Sequence, residues 1–223
     1  MIEQVDYAAL RLLPTAVYRQ LGYAPATRPI PRVERMIASK MEQVRSIATP
    51  SFSYVMKSID HVGSASATID GVTFQSEVLA HLLVNSSEAA VFALTVGSQI
   101  EERARELTDQ GAQFEAFIVD AIGSCLVQRL VRYVQAWFVK MAAERGQAVS
   151  RRFCPGYCDW HVSQQKGVFS LLHDQVPGIT LTDHWLMLPH KSMSGIIGVG
   201  EVARQVRNYV PCRNCQMKDC IGR

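Results

Sequence analysis

The chain has 223 residues, 48% apolar and 19% charged, enough to bury a sizeable core and too apolar for a disordered tail. A formal charge of +3 is too small to point to nucleic acid, and no apolar run approaches the roughly 18 residues that span a bilayer. Met1 to Asp6 carries neither a basic head nor an apolar run, so a cytoplasmic location is expected, and six cysteines there suggest metal or thiol chemistry before disulfides.

Asp6 begins an amphipathic helix with Ala9, Leu10, Leu13, Ala16, Val17 and Leu21 on its buried side. Pro14 must kink or split it, and Gly22 stops it. Tyr23 to Arg32 holds three prolines and reads as a connection, and Val33 to Ile47 as a second helix. The period then changes. Phe52 to Ile59 and Ser66 to Ile69 read as strands, and Asp70-Gly71 before Val72 signals a hairpin. Leu79 to Leu83 is helical, Ala89 to Gly97 is a buried strand, and Ser98 to Thr108 a helix.

The longest element spans about Ala112 to Glu144, with Phe114, Ile118, Ile122, Leu126, Leu130, Val134, Trp137 and Phe138 on its inner face. A helix this apolar is expected at the centre of the core. A helix from Gln164 to Leu172 follows, and Ile179 to Leu181, Trp185 to Leu188 and Ser192 to Val199 are expected to complete the sheet. Strands and helices do not alternate regularly. The expected class is α+β, an antiparallel twisted sheet covered by helices around one long core helix. The chain divides into an N-terminal helical segment (1–50), an α+β core (51–200) and a basic cysteine-rich tail (201–223).

Three constellations carry chemistry. Arg151-Arg152-Phe153-Cys154-Pro155-Gly156-Tyr157-Cys158-Asp159-Trp160-His161 places a Pro-Gly break between a guanidinium and a phenol. Gly156 lets another group approach the main chain, so the stretch reads either as a cradle for a small polar ligand with a flat ring or as an ordinary connection with a solvated arginine. Asp120, beside the apolar face of the long helix, reads by itself as a boundary acid facing water. Cys212-x-x-Cys215-x4-Cys220 gathers three thiols in nine residues, where packing has little use for them. A fourth metal ligand is missing from the tail, with Cys158 the first choice ahead of Cys154 and His161. Cys125, inside the apolar face of the long helix, reads as packing.

Two patterns lead nowhere. Asp159-x-His161 suggests a cobalamin-ligating D-x-H-x-x-G, but Gln164 stands where the glycine belongs. Gly195 to Gly200 lies in a strand pattern and not in a strand–loop–helix phosphate cradle.

R-x-x-P-G-Y at Arg152 to Tyr157, with Pro189-x-x-Ser192-x-Ser194-Gly195 further on, resembles the activation domain of cobalamin-dependent methionine synthase. The C-x-x-C-x4-C-x-x-R tail ending at Arg223 is similar to that of stand-alone relatives of the domain. The resemblance implies binding of S-adenosylmethionine (AdoMet) by Arg152, Cys154, Gly156 and Tyr157. It also implies Asp120, where the family commonly has a glutamate, as the partner of the ligand's ammonium. The family's ring on its last strand is replaced here by Ile196-Ile197. The implied function is reductive reactivation and remethylation of a separate corrinoid protein, with cobalamin held by that partner and a reductant protein feeding electrons. A metal centre at Cys158, Cys212, Cys215 and Cys220 would be a [4Fe–4S] cluster or, alternatively, zinc. The rival reading keeps the fold without AdoMet, as an iron–sulfur or zinc protein that passes electrons to, or docks on, a corrinoid methyltransferase.

Overall fold

The computed structural model describes residues 2–203, 206 and 208–211. Strand β1 (Ile2–Gln4) leads into a 3-10 turn at Tyr7–Leu10, whose start is capped by Asp6 accepting from the Ala8 N–H at 2.9 Å. Pro14 splits the expected first helix. It opens α1 (Pro14–Gln20) as the first helical residue, where its missing N–H is no loss, and Pro31 opens α2 (Pro31–Ile47) in the same way.

Strands β2 (Ser51–Val62), β3 (Ser66–Ile69) and β4 (Val72–Gln75) form a meander, with Asp70 (φ 46°) and Gly71 (φ 77°) making the two-residue β3–β4 turn. After α3 (Glu77–Leu83) comes β5 (Ser86–Thr95), then α4 (Gln99–Asp109), the 32-residue α5 (Gln113–Glu144) and the short β6 (Ala148–Val149). Helix α6 (Gln165–Leu172), strands β7 (Thr180–Leu181) and β8 (Met187–Leu188), and β9 (Ser192–Gly200) complete the described elements. The main sheet is antiparallel in the order β4-β3-β2-β5-β9-β6, with β1 also pairing β2.

The sheet is covered on both faces. Ala90, Phe92 and Leu94 of β5 join the core under α1, α2 and α5, while Ala89, Val91 and Ala93 join a second core with α3 and α6. That is why β5 is apolar at consecutive positions and does not alternate. Two expectations fail. Among the described residues, strands β7 and β8 pair with each other and not with the main sheet; the expectation failed because a short apolar run carries no information about its partner. Phe114 is not on the inner face of α5: it is 49% exposed and lines a surface depression with Leu21, Tyr23 and Phe117. No helix among the described residues is long and apolar enough to cross a membrane.

Candidate functional site

Beyond β6 the chain continues along the free edge of β9. Ser150 donates its N–H to the Gly198 carbonyl at 2.8 Å, and Phe153 and Ile196 form an isolated antiparallel bridge. Side chains along this edge alternate. Phe153 points into the α6-side core, where its ring stacks on Trp160 at 5.6 Å, whereas Cys154 is buried in the α5-side core. Arg152 shares the Cys154 side. Its N–H donates to Gln135 Oε1 at 2.9 Å, and Gln135 Nε2 donates onward to the Ser150 carbonyl at 3.1 Å. One amide of α5 therefore holds both ends of the Ser150–Arg152 segment.

Gly195 lies directly under this segment. A Cβ there would stand 2.4 Å from the Phe153 carbonyl oxygen and 2.8 Å from Cys154 Sγ. The glycine of the second motif is thus what lets the first motif pack onto β9. Beyond Cys154 the chain turns back: Tyr157 donates to the Cys154 carbonyl at 3.3 Å, Gly156 to the Trp160 carbonyl at 2.7 Å, and Trp160 to the Tyr157 carbonyl at 3.0 Å. Gly156 adopts φ 91°, which favours glycine, and a Cβ on it would meet nothing nearer than Val162 at 3.9 Å. Tyr157 is 48% exposed at the rim. The turn is a bare, outward-facing stretch of main chain between a guanidinium and a phenol.

Burial pushes the Arg152 guanidinium below its usual range, and the nearby Arg151 and Arg132 push the same way, while Cys154 and Tyr157 oppose them. Such a group favours an anionic ligand that restores a counter-charge. Burial also pushes the Cys154 thiol up to about 12, against the neighbouring Arg152 charge. Cys154 is packed in the α5-side core against Gly195.

Asp120 sits elsewhere on α5. Its Oδ1 accepts from Lys191 Nζ at 2.7 Å, and the same ammonium donates to Ser124 Oγ at 2.9 Å. The Lys191 N–H donates to Glu101 Oε1 at 2.6 Å, so the residue is held from both sides. Arg152, Cys154, Gly156 and Tyr157 belong to one continuous stretch. Asp120 is tied to the beginning of β9 and not to that stretch.

Several functional neighbours were invisible in the sequence. Asp159 accepts from Ser76 Oγ at 2.8 Å and from the Glu77 and Val78 N–H groups at 2.5 and 3.3 Å, so it anchors the motif loop to the start of α3. Gln164 exchanges two bonds with the Gln75 main chain, and buried Gln165 donates to Ser194 Oγ at 2.7 Å. Ser76 ahead of a helical pattern is the one signal that could have announced a cap; the partners of Gln135, Gln165 and Lys191 come only from tertiary structure. His161 accepts from the Ser163 N–H at 3.2 Å and caps the turn into α6. Ile196 and Ile197, in place of a ring, are both buried.

Cys158 is half-buried at φ 49°, and among the described residues no three His, Cys, Asp or Glu side chains gather as a metal site. The expected ligands Cys212, Cys215 and Cys220 lie outside the described residues. A cleft of ≈ 620 Å³ lies at the start of α4, lined by Thr49, Ser51, Thr95, Ser98, Glu101 and Arg105 among others; none of the motif-loop residues lines it.

The chain is thus an antiparallel sheet crossed by one long helix, with an R-x-x-P-G-Y loop clipped to the edge of its last long strand. The sequence profile described as "Vitamin B12 dependent methionine synthase, activation domain" matches residues 79–220, and the chain belongs to that family. Among solved structures it is similar to the crystal structure of the MetH reactivation domain bound to AdoHcy, with a TM-score of 0.68 and 15% sequence identity. That match covers 95% of this chain and 80% of the other, and at this identity the likeness is one of fold. No curated protein matches the sequence.

Proposed function

We propose that this chain binds AdoMet at the motif loop and supports the reductive reactivation of a separate corrinoid protein. The observation that carries the reading is the clipped loop: Gly195, Gln135 and the Phe153–Ile196 bridge hold Arg152, bare Gly156 and half-exposed Tyr157 in one fixed stretch. The solved relative holds AdoHcy, the same molecule without its methyl group. In this chain Arg152 would take the ligand's carboxylate as a charge-assisted pair, Gly156 would let the ligand lie against the main chain, and Tyr157 would cover a ring face. Cys154 closes the site from beneath, and Asp120 forms a second polar station along α5. Bound AdoMet supplies a methyl group on a sulfonium; the chain's part is to orient it and exclude water. Titration with labelled AdoMet under anaerobic conditions tests the binding, and pull-down with a corrinoid protein encoded alongside tests the partner. A wild-type protein that binds neither ends the proposal.

A metal centre at Cys158, Cys212, Cys215 and Cys220 belongs to the same proposal. Its support is that Arg151 Nη1 donates to the Tyr209 carbonyl at 3.3 Å and the Tyr209 ring lies 4.4 Å from His81. Three residues before Cys212, the chain is therefore beside the loop that carries Cys158. A [4Fe–4S] cluster there would supply an electron path to the corrinoid, and zinc would supply only a cross-link.

A further inference from the structure

From Tyr7 to Val33 the chain holds the arginines Arg11, Arg19, Arg28 and Arg32 and no aspartate or glutamate. Two of them share a pocket. Helix α1 ends in a Schellman reversal, in which Gly22 and Tyr23 donate to the Arg19 and Tyr18 carbonyls, each at 3.0 Å. The Tyr23 ring then meets the Tyr18 ring edge-on at 6.4 Å, and the chain returns beside the helix it has just left. Between the two lies a pocket of ≈ 400 Å³, lined by Thr15, Tyr18 and Arg19 of α1 and by the returning residues from Ala24 to Arg28. It shares no residue with the motif loop or with the cleft at the start of α4.

The walls of the pocket are held in place. The Tyr18 hydroxyl donates to Glu34 Oε1 at 3.0 Å, which pins α1 to α2 and occupies the next acid along the chain. Thr27 donates to the Ala24 carbonyl at 3.0 Å, closing a tight turn in which Ala26 adopts φ 67°. Left-handed backbone at an alanine is strain that only the surrounding fold maintains. Arg19 Nε donates to the Thr15 carbonyl at 3.4 Å, which leaves both terminal nitrogens of the fork for another acceptor. Among the described residues neither Arg19 nor Arg28 makes an ion pair. Two guanidinium groups and the hydroxyls of Thr15 and Thr27 therefore surround one space with donors. A carboxylate brings two oxygens in one plane, whereas a phosphoryl group brings three and a larger charge, which suits donors arriving from several sides. The volume falls within the roughly 300–1,000 Å³ of small-molecule sites, and Ala24 and Pro25 give an organic part an apolar wall.

We propose that this pocket binds a small phosphate ester, with Arg19 and Arg28 holding its phosphoryl group. The proposal does not depend on AdoMet binding at the motif loop. The test is calorimetric titration with glycerol 3-phosphate, and with malonate as the control anion, in a phosphate-free buffer of low salt. It is run on wild type, Arg19→Gln, Arg28→Gln and Arg45→Gln, each checked for an unchanged melting profile. Arg45 lies at the far end of α2, outside the pocket, and its replacement removes the same charge. Wild type should show one saturable site that prefers the ester to malonate by about tenfold, and inorganic phosphate should displace the ester. Arg19→Gln and Arg28→Gln should each weaken it about tenfold or more, the equivalent of one charge-assisted hydrogen bond, while Arg45→Gln stays within about twofold. An ester bound no tighter than malonate, or one that phosphate does not displace, overturns the assignment. So does an equal loss in Arg45→Gln, which would make the attraction one of net charge alone.

Discussion

Phe153 and Ile196 exchange both of their backbone hydrogen bonds, each N–H reaching the other's carbonyl at 2.9 Å. This bridge joins the two sequence motifs of the chain into one surface, with Arg152 to Tyr157 on one side of it and Ser192 to Gly195 on the other. Its geometry depends on the absence of a side chain at Gly195.

Gly195→Ala would bring a methyl group within 2.4 Å of the Phe153 carbonyl, which is backbone and cannot rotate away. Overpacking of this kind costs about 1–3 kcal/mol. Urea unfolding should show that loss, and AdoMet binding should fall with it. A variant as stable as wild type would mean that the loop is not clipped as described.

The long helix and the apolar strand at its side were legible because their periods are unambiguous over many residues. Asp70-Gly71 was legible because a two-residue turn demands left-handed backbone that this pair tolerates. Strands β7 and β8 were misplaced because two residues of strand cannot say which partner they join. The motif loop was recognisable from its residue types, whereas its attachment was not. Gln135 and Lys191 look like surface residues of a helix and a strand until the fold sets them against Arg152 and Asp120. Asp159 drew attention for a histidine two places on, yet its work is to anchor α3.

Asp159→Ala removes the acceptor for three donors at the start of α3. Loss of a cap costs about 0.5–2 kcal/mol, and the variant should melt earlier in thermal denaturation by circular dichroism. Full stability in the variant would reduce the Asp159 contacts to incidental ones.

Cys154 should not react with iodoacetamide at pH 8 while the chain is folded, since its thiol is buried and pushed up to about 12. Below the ordinary thiol value of 9.0 the thiol is protonated in both folded and unfolded chains, and this contribution to stability is fully present. Above it the unfolded chain releases the proton first, so stability is lost as pH rises toward about 12. Cys154→Ala should flatten that part of the pH–stability curve. Rapid alkylation of native Cys154 would contradict the buried placement.

Cys158→Ser should lower the metal content of anaerobically purified protein. Cys125→Ser should leave it unchanged, because Cys125 is buried in α5 with its thiol directed at the Ala16 carbonyl, 3.5 Å away. Elemental analysis reads both. Full occupancy in Cys158→Ser would remove it from the ligand set.

The most direct measurement is a calorimetric titration of AdoMet into wild type and Arg152→Ala side by side. Arg152 is the arginine of the R-x-x-P-G-Y motif, four residues before bare Gly156, and its loss should remove a charge-assisted hydrogen bond, about 1.5–3 kcal/mol of binding. The account predicts one saturable site in wild type, weakened by that amount in the variant with melting unchanged. No saturable binding by wild type, or equal affinity in the two proteins, would contradict it.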